Sequence, residues 1–291
     1  MFYYNKQIKC AILGTGKIGI DLYFKLMKKS YQVSIFNLNK NSVGAKFCKL
    51  NNFNYYSGGI ETLLKKDYDI VFDSTNAKSS KLHYKKLKDK KITLVNLTPS
   101  GIGSYYIPYI DGNKKINSNC FNLITCGGQS SIPIIYEISK QIKKINYVEI
   151  VSAISSKSAG LATRQNVDEY LNITSRAVTN YTKINNVKVI LNLNPGNPPV
   201  NMSNSIYIEV TNKILKSEIN KIFKLLNLVN KKMKKFVKGY RAEFLGKISD
   251  NCIKFTLSVT GDGDYLPKYS GNLDIITNVA RSLADKKDRE L

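Results

Sequence analysis

Ile8-Lys9-Cys10-Ala11-Ile12-Leu13-Gly14-Thr15-Gly16-Lys17-Ile18-Gly19 is a short apolar run that passes straight into three glycines spaced Gly-x-Gly-x-x-Gly. Beyond it Ile18, Leu22 and Leu26 share one helical face, so the glycines sit in a turn between a strand and a helix. That context reads as a dinucleotide fingerprint. The glycines permit a tight turn and close approach of a pyrophosphate, and the helix start offers it free amides. A second strand, Gln32 to Phe36, follows. At its end, where a carboxylate usually holds the adenosine ribose, the chain reads Asn37-Leu38-Asn39-Lys40. Asn can still bond a hydroxyl and Lys40 can tolerate a 2′-phosphate, so both NAD and NADP stay open.

Working outward, helices near Val43 to Leu50 and Ile60 to Leu64 alternate with a short strand near Asn54 to Tyr56. The apolar runs Asp69 to Asp73 and Ile92 to Leu97 have the pattern of parallel strands buried on both faces. This alternation predicts a doubly wound sheet. The Lys-rich helix between those runs carries the chain's one histidine, His83, which its neighbours predict to be a surface residue. Thr98 to Gly103 is loop chemistry at the carboxyl end of a strand, where open α/β sheets place ligands.

A second focus is Asn122 to Pro133, Asn-Leu-Ile-Thr-Cys-Gly-Gly-Gln-Ser-Ser-Ile-Pro. Cys126 enters a Gly-Gly turn, and Ser130 or Ser131 is expected to cap the helix that follows. Free amides and the positive end of a helix dipole stabilise a thiolate and an oxyanion beside it. A buried structural cysteine fits this run equally well. Further on, Val148 to Ile154 is a strand, and Ser155 to Arg164 is a loop of small and hydroxyl residues. Asn166 is expected to cap a helix bearing Val167, Tyr170, Leu171, Thr174 and Val178 at helical spacing. Strands are predicted at Val187 to Leu193, Ile206 to Val210 and Ile253 to Val259, with a long amphipathic helix from about Glu218 to Val237. In the last strand apolar and polar residues alternate, as in an antiparallel sheet with one wet face. The second half therefore reads as α+β.

The chain has 291 residues, 43% of them hydrophobic, enough for two domains with sizeable cores. Neither a long apolar span nor the apolar run of a signal peptide is present, so a soluble, cytoplasmic protein is expected. The five cysteines lack metal-ligand spacing, which gives no reason to expect a metal. A net charge of +24 raises nucleic acid as a partner, but only five of the 45 basic residues are Arg and the Lys is dispersed. Nucleic-acid binding is not expected, whereas anionic cofactors would be attracted.

Several separate motifs carry a resemblance that spans nearly the whole chain. They are Thr-Cys-Gly-Gly-Gln at 125 to 129, Ser-Ser-Lys-Ser-Ala-Gly at 155 to 160 with Thr163-Arg164, and Asn194-Pro195 with Pro198-Pro199. Tyr265-Leu266-Pro267 with Gly271-Asn272-Leu273-Asp274 completes the set. Together these resemble the acylating acetaldehyde dehydrogenases that partner 4-hydroxy-2-oxovalerate aldolases in the breakdown of aromatic compounds.

The resemblance implies a Rossmann NAD-binding domain over 1–125, completed by a C-terminal helix over 272–291. It also implies an α+β catalytic and dimerisation domain over 126–271, similar to that of glyceraldehyde-3-phosphate dehydrogenase. By the same likeness Cys126 is the acyl-thioester nucleophile and coenzyme A the acyl acceptor. Thr15, Gly16, Lys17 and Ile18 form the first cofactor segment. Ser158, Ala159, Gly160, Leu161, Ala162, Thr163, Arg164, Gln165 and Asn166 form the second, and Asn272 lies beside the nicotinamide. The partner implied is the aldolase, in a heteromeric complex around a homodimer.

Two departures stand out. Met202-Ser203-Asn204-Ser205 has Asn where an acid is expected, and the segment between Tyr240-Arg241 and Ile253 is short. No general base is legible; Asp168 and Glu169 are the candidates. Two other readings stay open: an acyl-phosphate-type semialdehyde dehydrogenase, and a catalytically impaired partner of an aldolase.

Overall fold

The computed structural model describes residues 7–115, 118–142 and 144–290, with the side chains of Leu161 and Ala162 outside that description. The chain folds into two compact units, 1–123 with 276–291, and 124–275.

In the first unit the apolar runs become strands and the amphipathic runs helices, alternating as far as the strand Thr93–Asn96. They are β1 (Lys9–Leu13), α1 (Lys17–Met27), β2 (Gln32–Asn37), α2 (Val43–Leu50), β3 (Tyr55–Ser57), α3 (Gly59–Leu63), β4 (Ile70–Asp73) and α4 (Ala77–Leu87). Then come β5 (Thr93–Asn96), β6 (Ser104–Tyr105), α5 (Pro108–Asp111) and β7 (Cys120–Asn122). The sheet order is β3-β2-β1-β4-β5-β7-β6, parallel throughout. The order reverses beside β1, which puts the Gly14 turn at the switch point of a doubly wound sheet. Ala11, Leu13, Phe36, Leu63, Val71, Leu87 and Leu94 form one buried cluster.

His83 corrects the expectation of a surface residue. It is half-buried, and its Nδ1 lies 2.7 Å from Oδ2 of the fully buried Asp73. The lysines around it are solvated, but His83 lies on the face of α4 turned toward the end of β4.

The second unit begins with α6 (Cys126–Gln141) and β8 (Ile145–Ser155), followed by α7 (Leu161–Gln165), α8 (Val167–Thr182), β9 (Val187–Asn194) and β10 (Met202–Val210). It continues with α9 (Lys216–Met233), β11 (Gly239–Ser249) and β12 (Cys252–Thr260). Its sheet runs β11-β12-β10-β8-β9, antiparallel except for the parallel pair β8 and β9. Residues of β10 and β12 alternate buried and half-exposed, the one wet face that the period-two pattern predicts.

Within the short segment between Tyr240-Arg241 and Ile253 the chain forms a strand, β11. It pairs with β12, with register shifts near Gly246 and Ser249 that interrupt its alternation. The final helix, α10 (Gly271–Asp288), contributes its residues from Ile276 onward to the first unit. No helix among the described residues is long and apolar enough to cross a membrane.

Candidate active site

Helix α6 starts five or six residues earlier than the serines suggest. Thr125 is extended (φ −141°, ψ 162°), and its Oγ1 accepts the Gly128 amide at 3.0 Å, so Thr125 is the N-cap and Cys126 the first helical residue. Ser130 and Ser131 therefore lie inside the helix, and the expectation that either caps it is corrected. The physical reason lies in the two glycines, which accept helical geometry once packing removes their freedom. A Cβ on Gly127 would stand 2.3 Å from the Tyr170 hydroxyl and 2.6 Å from Ser152 Oγ; one on Gly128 would stand 2.7 Å from Ile124 Cγ2. Ile124 itself holds φ 62°, a costly conformation for a β-branched residue, on the threshold of the cap.

The Cys126 thiol is buried at 7% exposure. Its Sγ lies 3.7 Å from the Tyr170 hydroxyl, which also accepts the Gly127 amide at 3.0 Å and donates toward Ser152 Oγ at 3.5 Å. Burial pushes the thiol up to about 11, while the Tyr170 hydroxyl and the amides of Gly127 and Cys126 pull it down. The amides thus act in the direction expected of a helix start, but desolvation outweighs them. Tyr170 is held in turn through Thr174, whose hydroxyl donates to the Tyr170 carbonyl at 2.7 Å. With that hydrogen committed, the Thr125 hydroxyl donates to Thr174 Oγ1, 2.7 Å away.

Below this layer Asn204 reaches from β10 into α6. Its Nδ2 donates to Ser131 Oγ at 2.6 Å and Ser130 Oγ at 2.8 Å, and the Ser130 hydroxyl donates to the Cys126 carbonyl at 2.8 Å. Tyr240 closes the knot by donating to the Ser130 carbonyl at 2.9 Å. Asn204 thus braces the helix that carries the thiol.

The chain is 38% identical to the acetaldehyde dehydrogenase of Carboxydothermus hydrogenoformans, over 99% of this chain and 95% of that protein. To the acetaldehyde dehydrogenase of Desulfitobacterium hafniense it is 36% identical, over 97% of this chain and 96% of that one. The chain belongs to the acetaldehyde dehydrogenase family. Residues 126–267 match the family model for prokaryotic acetaldehyde dehydrogenase, dimerisation, which supports oligomerisation. The crystal structure of aspartate semialdehyde dehydrogenase II from Vibrio cholerae, complexed with ASA, has the same fold. Its TM-score is 0.64 at 12% identity, covering 96% of this chain and 99% of that one. The Rossmann sheet plus mixed sheet is thus the glyceraldehyde-3-phosphate dehydrogenase-like architecture expected, and the dehydrogenase relatives point to a nucleotide cofactor.

For an acetaldehyde dehydrogenase the Gly14 turn fits a dinucleotide. Gly14 holds φ 103°, a Cβ on Gly19 would stand 2.0 Å from the Gly14 carbonyl oxygen, and Gly16 faces open space. Thr15 is buried and Lys17 exposed, with Ile18 between these extremes. After β2, Asn37 Nδ2 donates to the Asn39 carbonyl at 2.9 Å and to Ser42 Oγ at 2.8 Å, which ties the amide into its own loop.

In the second predicted segment Ser158 and Ala159 are buried, and Ser158 Oγ donates to the Ser155 carbonyl at 2.8 Å. Gly160 heads α7, Thr163 is half-buried and Gln165 exposed, and Arg164 donates to the Ser156 carbonyl at 2.9 Å. Asn166 stands at the N-cap position of α8, but its side chain makes no capping bond, unlike the expectation. Asn272 is buried with Oδ1 unpartnered, a polar atom suited to an incoming amide. Asp168 and Glu169 are exposed in the first turn of α8, and the polar group at the thiol is Tyr170, one residue further on.

In the sequence Tyr170 and Thr174 show only helical spacing, and their polar role emerges from the fold. The signal available was two polar tips, four residues apart, on a face that packing would bury.

Proposed function

We propose that the chain is a CoA-acylating acetaldehyde dehydrogenase that converts acetaldehyde or propanal to the acyl-CoA. The observation that carries this reading is Cys126 at the first position of α6, with amides and the Tyr170 hydroxyl around its sulfur, in a chain of this family. Cys126 Sγ adds to the carbonyl carbon, and amides of the helix start stabilise the oxyanion. The thiohemiacetal loses hydride to become a thioester on Cys126. A nicotinamide dinucleotide, when bound, would supply the hydride acceptor. The CoA sulfur then takes the acyl group, and Cys126 returns as a thiol.

Thr15, Gly16, Lys17 and Ile18, the Ser158 to Asn166 segment and Asn272 would hold the dinucleotide. NAD+ is the proposed oxidant. The segment Asn37 to Lys40 has no carboxylate to repel a 2′-phosphate, so NADP+ is accepted as well. The working assembly is a homodimer core that receives its aldehyde from a 4-hydroxy-2-oxovalerate aldolase in the cytoplasm.

Cys126→Ala is expected to abolish CoA-dependent NADH formation while leaving dinucleotide binding, read by fluorescence, in place. Persistence of turnover in that variant sinks the assignment. Acceptance of phosphate in place of CoA by the wild type would move the activity to the acyl-phosphate class.

A further inference from the structure

We propose that Tyr170 is a catalytic hydrogen-bond donor to the Cys126 sulfur, and that this phenol supplies the activation a histidine supplies elsewhere. The inference rests on the reading of Cys126 as nucleophile. The chain's one histidine, His83, is bonded to Asp73. The Tyr170 oxygen has a fixed acceptor role, because it receives the Gly127 amide at 3.0 Å. Its single hydrogen is then shared between two acceptors, Cys126 Sγ at 3.7 Å and Ser152 Oγ at 3.5 Å. When the thiol gives its proton to water, the hydroxyl rotates from Ser152 to the negative sulfur, the stronger acceptor.

The arrangement is built for this contact. A side chain at 127 would collide with both the phenol and Ser152. Thr174 holds the Tyr170 carbonyl and is itself tied to Thr125, so the cap of α6 and the phenol are positioned together. Burial and the adjacent Cys126 push the Tyr170 hydroxyl well above its ordinary value, which keeps it protonated and makes it a donor instead of a base.

Around the pair, α6 presents the Cys126 and Gly127 amides, α8 presents Thr174 and β8 presents Ser152, all neutral. No charged side chain among the described residues contributes to the thiol's titration. The phenol is therefore the side chain whose removal should register on the sulfur.

The test is the pH profile of alkylation by iodoacetamide on the full chain, followed at the Cys126 peptide by mass spectrometry. In Tyr170→Phe the rate at neutral pH should fall by about 10-fold to 100-fold, the value of a hydrogen bond to a charged acceptor. The profile should shift to higher pH and reach the same plateau. Site-specific 3-fluorotyrosine at position 170, a stronger donor of the same shape, should move the profile to lower pH. That variant decides the matter alone if the Phe protein does not fold.

Profiles that coincide with wild type in the variants overturn the proposal, as does an equal rate loss at every pH without a shift. Absence of CoA-dependent turnover in the wild type would defeat the assigned reaction while leaving this alkylation result readable on its own.

Discussion

At Cys126 two physical effects oppose each other, and their balance sets how the free protein should behave. The first turn of α6 offers amides that favour a thiolate, yet the sulfur is buried, and desolvation raises the thiol to about 11. Below that value the thiolate fraction grows about tenfold for each pH unit. Alkylation of Cys126 in the free protein should therefore climb steadily from neutral pH toward about 11. Mass spectrometry of the modified peptide checks this. A plateau near neutral pH would mean that the amides and Tyr170 outweigh burial.

The residue also shows what a sequence can and cannot display. Cys126 was legible because its glycines and the motif Thr-Cys-Gly-Gly-Gln are contiguous. Tyr170 was not, because it lies 44 positions away and its ring satisfies an apolar pattern while its hydroxyl does the polar work. Asn204 likewise declared itself only as a departure from an expected acid, whereas its bonds to Ser130 and Ser131 exist only after β10 docks beneath α6.

Among the elements, those with uninterrupted periodicity were the readable ones. Strands β1, β4 and β5 are continuous apolar runs bounded by turn residues, and the parallel sheet follows from them. Strand β11 carries Tyr240, Ala242 and Phe244 in alternation, but Gly246 and the register shifts break that pattern before it reaches strand length. Helix α9 ends at Met233, earlier than its apolar spacing to Val237 suggests, because Lys234 to Val237 turns toward β11.

Helix α10 has a different dependence. In the first unit its Thr277 hydroxyl donates to Asp21 Oδ2 at 2.5 Å and accepts Lys25 Nζ at 2.6 Å, while Lys25 pairs with Asp21 at 2.8 Å. Both charged side chains are 1–2% exposed, so removing Asp21 breaks a buried ion pair. Asp21→Ala should destabilise the protein by about 3–5 kcal/mol. Denaturant unfolding measures the loss. Hydrogen exchange should show the earliest deprotection in Ile276 to Asp288, and uniform loss across the chain would argue against a clamp specific to α10.

On the scale of the whole molecule the dominant feature is charge. A net +24 carried mainly by lysine creates a long-range positive field. The proposed reaction uses two polyanions, a dinucleotide and coenzyme A, so the field should act on their encounter with the enzyme. Once a ligand is bound, the chemistry at a buried sulfur is insulated from salt, because screening acts over about 10 Å at 0.1 M and mainly through solvent.

The two effects separate in steady-state kinetics. Raising ionic strength from about 0.01 M to about 0.2 M should lower kcat/KM for coenzyme A several-fold and leave kcat unchanged. Replacing coenzyme A with a smaller, uncharged thiol as acyl acceptor should remove the salt dependence of that step. If kcat falls in parallel with kcat/KM, salt is acting on the folded protein or its assembly, and the steering account fails. If the uncharged thiol shows the same salt dependence as coenzyme A, the positive field has no part in recruiting the acceptor.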